Sequence, residues 1–150
     1  MDDVIRQNFW QKMTTGEKIL AIVLAVIFLF IFYIALDANK YTAQVLAIEG
    51  AGKVGVNPTT ERLDFGDLSP GTSAVRRVEI ENGTAIPMYV AVVRFGSIND
   101  LMKLDKSFFV VPARRADEVE FTVYMPASAP IGEKLTGRVF IFKIPGPWSS

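Results

Sequence analysis

The strongest hydrophobic pattern in the chain is a run from Ile19 to Leu36 that contains no charged residue, no glycine and no proline. At ~1.5 Å per residue, a helix over this run is about 27 Å long, close to the thickness of the hydrocarbon core of a bilayer. A helix on the surface of a soluble domain keeps a polar face, which this run lacks. The pattern therefore predicts a transmembrane helix over residues 14–37, in contact with the lipid bilayer through residues 19–36.

The residues that flank the run predict how the helix begins and where it meets the membrane surface. Thr14 and Glu17 have the spacing of a capping box. We expect Trp10, Lys18 and Tyr33 to anchor the segment, because aromatic and long basic side chains are enriched at the membrane–water interface. Residues 1–13 are predicted to be an N-terminal tail that either forms an interfacial helix or stays irregular.

Processing signals predict whether the helix is cleaved off, and the flanking charges predict its orientation in the membrane. Its apolar run is longer than the core of a typical signal peptide and no A-x-A site follows it, so we expect an uncleaved anchor. Arg6, Lys12 and Lys18 precede the run, whereas Lys40 and Lys53 follow it within a comparable distance. Because basic residues favour the cytoplasmic side, this excess predicts a single-pass protein of the cell membrane with a cytoplasmic N-terminus and an extracytoplasmic domain.

Beyond residue 60 the hydrophobic period changes to two, which is typical of β-strands. Val78 and Ile80 alternate with glutamates, and the positions from Val119 to Met125 alternate in the same way. Together with turn-forming residues between the segments, the pattern predicts a mainly β domain, a two-sheet sandwich of about seven strands over residues 59–145. Residues 38–58 are either a tether or contain the first strands, and residues 146–150 form a tail. The other predicted strands are Gln44–Ile48, Arg62–Phe65, Phe108–Val111 and two that are apolar on both faces, Met88–Phe95 and Arg138–Ile144.

The order of strands and turns in this domain is itself a recognisable feature. In Leu63–Gly71 a strand ending in Phe-Gly leads through a Pro-Gly turn, and Val75–Asn82 is a strand that ends at an asparagine. This opening, and the later stretch Phe121–Gly137, resemble the immunoglobulin-like domains of the major sperm protein and ASH type. The resemblance covers residues 60–144 and departs from the class at Pro112–Asp117, where the class often has a Pro-Gly pair. It implies an immunoglobulin-like β-sandwich that acts as a scaffolding or protein-binding module, with no catalytic residues.

Composition removes several classes of chemistry. The chain has no Cys and no His, and its 16 Lys and Arg residues balance its 16 Asp and Glu residues. Disulfides, zinc sites built on thiolate or imidazole, and nucleophile–His pairs are therefore absent. A neutral chain without a basic cluster gives no indication of nucleic-acid binding. We expect no enzymatic activity, no cofactor and no nucleic-acid partner.

Two short motifs have both a functional and a structural interpretation. Asn82-Gly83-Thr84 matches the acceptor pattern for N-glycosylation, but Asn-Gly is equally a turn former. Asp64 and Asp67 flank a glycine, yet calcium takes about six or more oxygen ligands, and these carboxylates are more simply explained as turn caps. Asn82 therefore stays a candidate glycosylation site, and no metal site is predicted.

The two strands that are apolar on both faces provide a candidate protein interface. If their aromatic positions are buried, Val90 and Val92 on one strand and Val139 and Ile141 on the other point out of the sandwich. Were the strands neighbours, these four residues would form an apolar patch of the kind that marks an interface. The alternative is that a loop, the tether or the membrane surface covers them.

These features favour a membrane-anchored, non-enzymatic β-sandwich protein. We expect an accessory or structural subunit that binds other proteins of a membrane or cell-envelope complex, with copies of itself among the candidate partners. The alternative is a pilin-like or archaeal-motility-type surface filament or anchor component, since such proteins also join an N-terminal apolar helix to a β-domain. Gly16 resembles a prepilin cleavage site, but Thr14 and Thr15 stand where a basic residue is expected.

Overall fold

The computed structural model describes residues 9–50, 52, 54–55 and 63–146. The chain divides into two compact units, a helical unit that ends at Leu36 and a β-domain that starts at Asp37. The mainly β class with a single apolar helix near the N-terminus is thus confirmed.

The helical unit contains α1 (Phe9–Lys12) and α2 (Thr15–Asp37). The predicted capping box is present, because the Thr14 backbone N–H donates to Glu17 Oε2 at 2.7 Å and the Glu17 N–H donates to Thr14 Oγ1 at 3.3 Å. No side chain of α2 is buried. Within the described part of the chain, α2 is the one helix long and apolar enough to cross a membrane.

The predicted membrane anchors all lie on this unit. Trp10 is exposed in α1, Lys18 is half-buried in the first turn of α2, and Tyr33 is exposed near the end of α2. Their anchoring role and the orientation of the helix stay predictions.

The β-domain is built from two sheets. The larger sheet has the strand order β2-β3-β1-β9-β5-β7, and the smaller sheet has the order β4-β8-β6. Strands β1 and β3 run parallel, and the other pairs are antiparallel. A short 3₁₀ helix at Asn99–Leu101 precedes β6. The strands are β1 (Asn39–Ala47), β2 (Val54–Gly55), β3 (Leu63–Leu68), β4 (Ser73–Glu81), β5 (Met88–Gly96), β6 (Met102–Leu104), β7 (Phe108–Val111), β8 (Ala116–Tyr124) and β9 (Lys134–Pro145).

The predicted strands are present, most with shifted ends. The strand β7 has the predicted bounds, whereas β9 begins at Lys134 and not at Arg138. The strand β1 begins at Asn39, so the segment predicted as a tether with possible first strands does contain a strand. Val54–Gly55 pairs with β3 at the edge of the larger sheet. Three-residue β6 was not predicted, because so short a strand shows no clear period.

Side chains from both sheets fill one core. Its largest fully buried members include Phe65 from β3, Phe121 from β8 and Ile141 from β9. Since the chain has no cysteine, no disulfide holds this domain, and burial of apolar surface at about 25 cal/mol per Å² is the main stabilising term.

An ion pair joins the loop before β7 to β8. Lys106 Nζ donates to Asp117 Oδ1 at 2.6 Å and lies 4.6 Å from the centroid of the Phe109 ring. This hydrogen bond lowers the pKa of Asp117 against the opposing effect of burial, and the Glu118 backbone N–H at 2.8 Å adds to the lowering. The pair therefore stabilises the folded state as long as Asp117 is ionised.

We expect Lys106→Met to raise the pKa of Asp117 towards its ordinary value. A lowered folded-state pKa stabilises the domain above the unfolded-state pKa of about 3.9, and that stabilisation is lost as the pH falls through the folded-state pKa. The variant should therefore be less stable than the wild type at neutral pH, by under about 1 kcal/mol because both side chains are partly exposed. The difference should vanish in acid. An NMR titration of the Asp117 carboxyl group is the direct check, and an identical midpoint in both proteins would contradict this assignment.

Candidate protein interface

The four residues predicted to form an outward patch are buried. Val90 and Ile141 have no exposed surface, and Val92 and Val139 are almost completely enclosed in the core. The two strands are neighbours as required, since β5 and β9 pair with Val92 opposite Ile141. The prediction of which face points outwards is wrong.

The first half of β9 explains the reversal. Lys134, Thr136 and Arg138 alternate with apolar residues and lie on the same face as Phe140 and Phe142. Because the side-chain period of a strand is two, hydration of the charged residues forces the whole set outwards. The aromatic side chains follow them, and the smaller β-branched side chains fill the core.

The outward face of the larger sheet is consequently aromatic where β7, β5 and β9 lie side by side. Phe95 and Phe108 are 59% and 64% exposed, and the other members are half-buried. Exposed aromatic rings on adjacent strands are typical of a surface that binds a partner and not of one that faces only solvent. We define the aromatic face as Tyr89, Val93, Phe95, Phe108, Val110, Phe140, Phe142 and Ile144.

The rings of the aromatic face pack on one another. Tyr89 and Phe108 stack with centroids 6.1 Å apart, and Phe140 and Phe142 stack at 6.2 Å. Phe95 meets Phe140 edge to face at 6.0 Å. These contacts hold the rings in two preformed groups on the same face, which lowers the entropy cost of binding.

Basic side chains border the aromatic face. Lys40 on β1 lies directly opposite Phe140, and Arg138 lies directly opposite Phe95. Together with Lys134, these cations make no side-chain hydrogen bond or ion pair with any described residue. The positive charges of Lys40, Lys134 and Arg138 are therefore available to a partner that carries negative charge.

Asn82 is buried, and its geometry speaks against a glycan. It is 2% exposed, and its Nδ2, the atom to which a glycan would attach, donates to the carbonyl oxygens of Ile86, Val111 and Pro112 at 2.9, 3.0 and 3.1 Å. Its Oδ1 accepts from the backbone N–H and the hydroxyl of Thr84. Asn82 joins the β4–β5 connection to the end of β7, so the glycosylation prediction is wrong for the folded domain.

The acidic residues near β3 have structural contacts. Asp64 is buried and accepts hydrogen bonds from Gln44 Nε2 at 2.8 Å and from the Gly66 N–H at 2.9 Å. A cavity of about 100 Å³ beside it is also lined by Asp67 and Lys134. No cluster of three or more acidic side chains suited to a metal occurs among the residues described.

No protein-family model, curated protein or solved structure matches this chain.

Proposed function

We propose that this protein is a membrane-anchored, non-enzymatic accessory or structural subunit that binds other proteins of a membrane or cell-envelope complex. The helix α2 provides the anchor, and the aromatic face provides the binding surface. We include in the proposal an immunoglobulin-like β-sandwich of the major sperm protein and ASH type, with the domain on the extracytoplasmic side. The single observation that carries the proposal is a cluster of exposed rings on a sheet whose other face already fills a complete core.

Energetics support a binding role for these rings. Full burial of a phenylalanine side chain is worth about 1.5–3 kcal/mol, and more than half of this remains unrealised for Phe95 and Phe108, which are 59% and 64% exposed. Protein interfaces are enriched in aromatic residues and arginine at their centres, and a few such residues supply most of the affinity. Rings that border Arg138 fit this composition.

The proposal predicts that the double variant Phe108→Ser, Phe142→Ser loses its partners while the domain stays folded. Both side chains lie on the aromatic face, so their removal takes away binding energy without opening a cavity in the core. We expect cross-links from Lys40 and Lys134 to partner chains, either other membrane proteins or further copies of this chain, to fall at least about tenfold, which corresponds to ~1.4 kcal/mol. Cross-linking mass spectrometry on native membranes that hold the full chain measures this.

The matched control is Ile131→Ser. Ile131 is 54% exposed in the loop between β8 and β9 and lies outside the aromatic face. It should leave both the cross-links and the circular dichroism spectrum unchanged. A folded double variant with undiminished links would remove the aromatic face as the binding surface.

A further inference from the structure

The outward face of the smaller sheet carries an excess of negative charge, four glutamates against Arg77 and Lys103, whereas the border of the aromatic face is basic. Its glutamates are Glu79 and Glu81 on β4 and Glu118 and Glu120 on β8, and we call this surface the acidic face. Arg77 neutralises one of them, since its Nη2 lies 2.8 Å from Glu120 Oε2, and this contact raises the pKa of Arg77.

The remaining glutamates lack a comparable partner. Glu79 and Glu118 are directly opposite each other in the β4–β8 pair, an arrangement in which like charges repel. The carboxylates of Glu79, Glu81 and Glu118 make no hydrogen bond or ion pair within the described ranges. A cation from outside the domain would relieve this repulsion.

The border of the aromatic face offers cations at a matching separation. Lys40 and Arg138 are diagonal neighbours across β1 and β9, about 7–8 Å apart, and directly opposed residues such as Glu79 and Glu118 are about 5 Å apart. The side chains of Lys40 and Arg138 are long and flexible, so their charged groups can adopt the closer spacing of the two glutamates. Both pairs therefore fit one contact of two positive and two negative charges.

Apolar side chains on the acidic face complete the match. Val75 and Tyr124 are exposed there on β4 and β8. They offer the aromatic face a surface on which to bury its rings.

We propose that the partner of the aromatic face is the acidic face of a second copy of this chain. Lys40 and Arg138 of one copy meet Glu79 and Glu118 of the next, and the rings pack on Val75 and Tyr124. The inference rests on the proposed function, because it names the partner of the same surface. Since the two contacting surfaces differ, the contact is head to tail, and its repetition gives a ring or an open row of copies instead of a two-fold symmetric dimer.

The absence of cysteine from the chain permits a direct test with two single-cysteine variants of the full chain. Thr42→Cys lies on the outward side of β1 opposite Arg138, and Ala116→Cys lies on the outward side of β8 opposite Glu81, next to the Glu79–Glu118 pair. In membranes that hold both variants, carrying different tags, mild oxidation should link one chain of each kind. The yield should exceed that of either variant alone by about tenfold. Links within the Thr42→Cys variant alone would indicate a symmetric contact and overturn the proposal, as would the absence of any link.

Charge reversal tests the same contact independently. The variants Lys40→Glu, Arg138→Glu and Glu79→Lys, Glu118→Lys should each lose self-association at least about tenfold, because each then presents like charges on both faces. Mixing the two variants should restore association to within about threefold of the wild type, since every contact again joins opposite charges. Sedimentation of the detergent-solubilised full chain measures both results. Unchanged association in either variant, or no rescue on mixing, overturns the head-to-tail contact.

The outcomes separate this inference from the proposed function. If Phe108→Ser, Phe142→Ser loses links to other proteins while the cysteine pair gives none, the aromatic face binds a different partner and only the self-contact is wrong. If the phenylalanine variant keeps every link, the aromatic face is not a binding surface and both proposals fail.

Discussion

Ile141→Lys is expected to unfold the β-domain, whereas Phe142→Lys, one position further along the same strand, should leave it folded. Ile141 has no exposed surface and packs between the sheets, while Phe142 lies on the aromatic face. Removing a buried isoleucine side chain costs about 2–5 kcal/mol, and an unpaired ammonium group in the core adds several more. The sum reaches the whole stability of a typical domain, about 5–15 kcal/mol.

Circular dichroism during urea unfolding of the full chain in detergent measures this contrast. Val92→Lys and Val93→Lys form a second matched pair on β5, with Val92 buried and Val93 on the aromatic face. The first variant of each pair should lose the β-sheet signal, and the second should keep a midpoint close to that of the wild type. A cooperative transition at the wild-type urea concentration in Ile141→Lys would mean that the assigned faces are wrong.

The inward and outward faces of β5 and β9 also show how much of the structure could be predicted from the sequence. The neighbouring strands were predictable because both are apolar on two sides, as central strands are. The face could not be decided from Arg138–Ile144 alone, since each set of alternate positions there has one basic residue, Arg138 or Lys143, and is otherwise apolar. The deciding residues are Lys134 and Thr136, which belong to β9 but lie upstream of the predicted strand. A full-length alternation from Lys134 would have placed Phe140 and Phe142 outside.

The helix was the most predictable element, and the opposed charged faces were the least. The capping residues and the apolar run of α2 lie within one continuous segment, so local chemistry determines them. On the acidic face, Glu79 lies opposite Glu118 although the two residues are far apart in the chain. No short sequence pattern predicts that they pair. Surfaces assembled from distant strands depend on register, which a single sequence does not reveal.

The same limit applies to Asn82. The dipeptide Asn82-Gly83 predicts a turn from local chemistry alone, and the chain does turn there. The bonds from its side chain to Val111 and Pro112 come from residues distant in the chain and depend on how β7 packs. The burial of the side chain, which removes it as a glycosylation site, was therefore visible only in three dimensions.

Asn82→Asp should consequently destabilise the domain by about 3–5 kcal/mol at neutral pH. A carboxylate cannot donate to the carbonyl oxygens of Ile86, Val111 and Pro112, and each unsatisfied buried polar group costs about 1–3 kcal/mol. The new negative charge would also face these carbonyl oxygens, which favours the protonated acid in the folded state.

The pH dependence of this variant distinguishes the charge from a general packing defect. The new carboxyl group then has a folded-state pKa above its unfolded-state value of about 3.9. The loss of stability therefore grows as the pH rises from about 3.9 through the folded-state pKa, and part of the stability should return near pH 3. Urea unfolding of the full chain at pH 3 and pH 7 measures the difference. Asn99→Asp is the control, because the Asn99 side chain makes no hydrogen bond with any described residue, and it should cost well under about 1 kcal/mol. Equal effects of the two substitutions would show that Asn82 does not hold β4, β5 and β7 together.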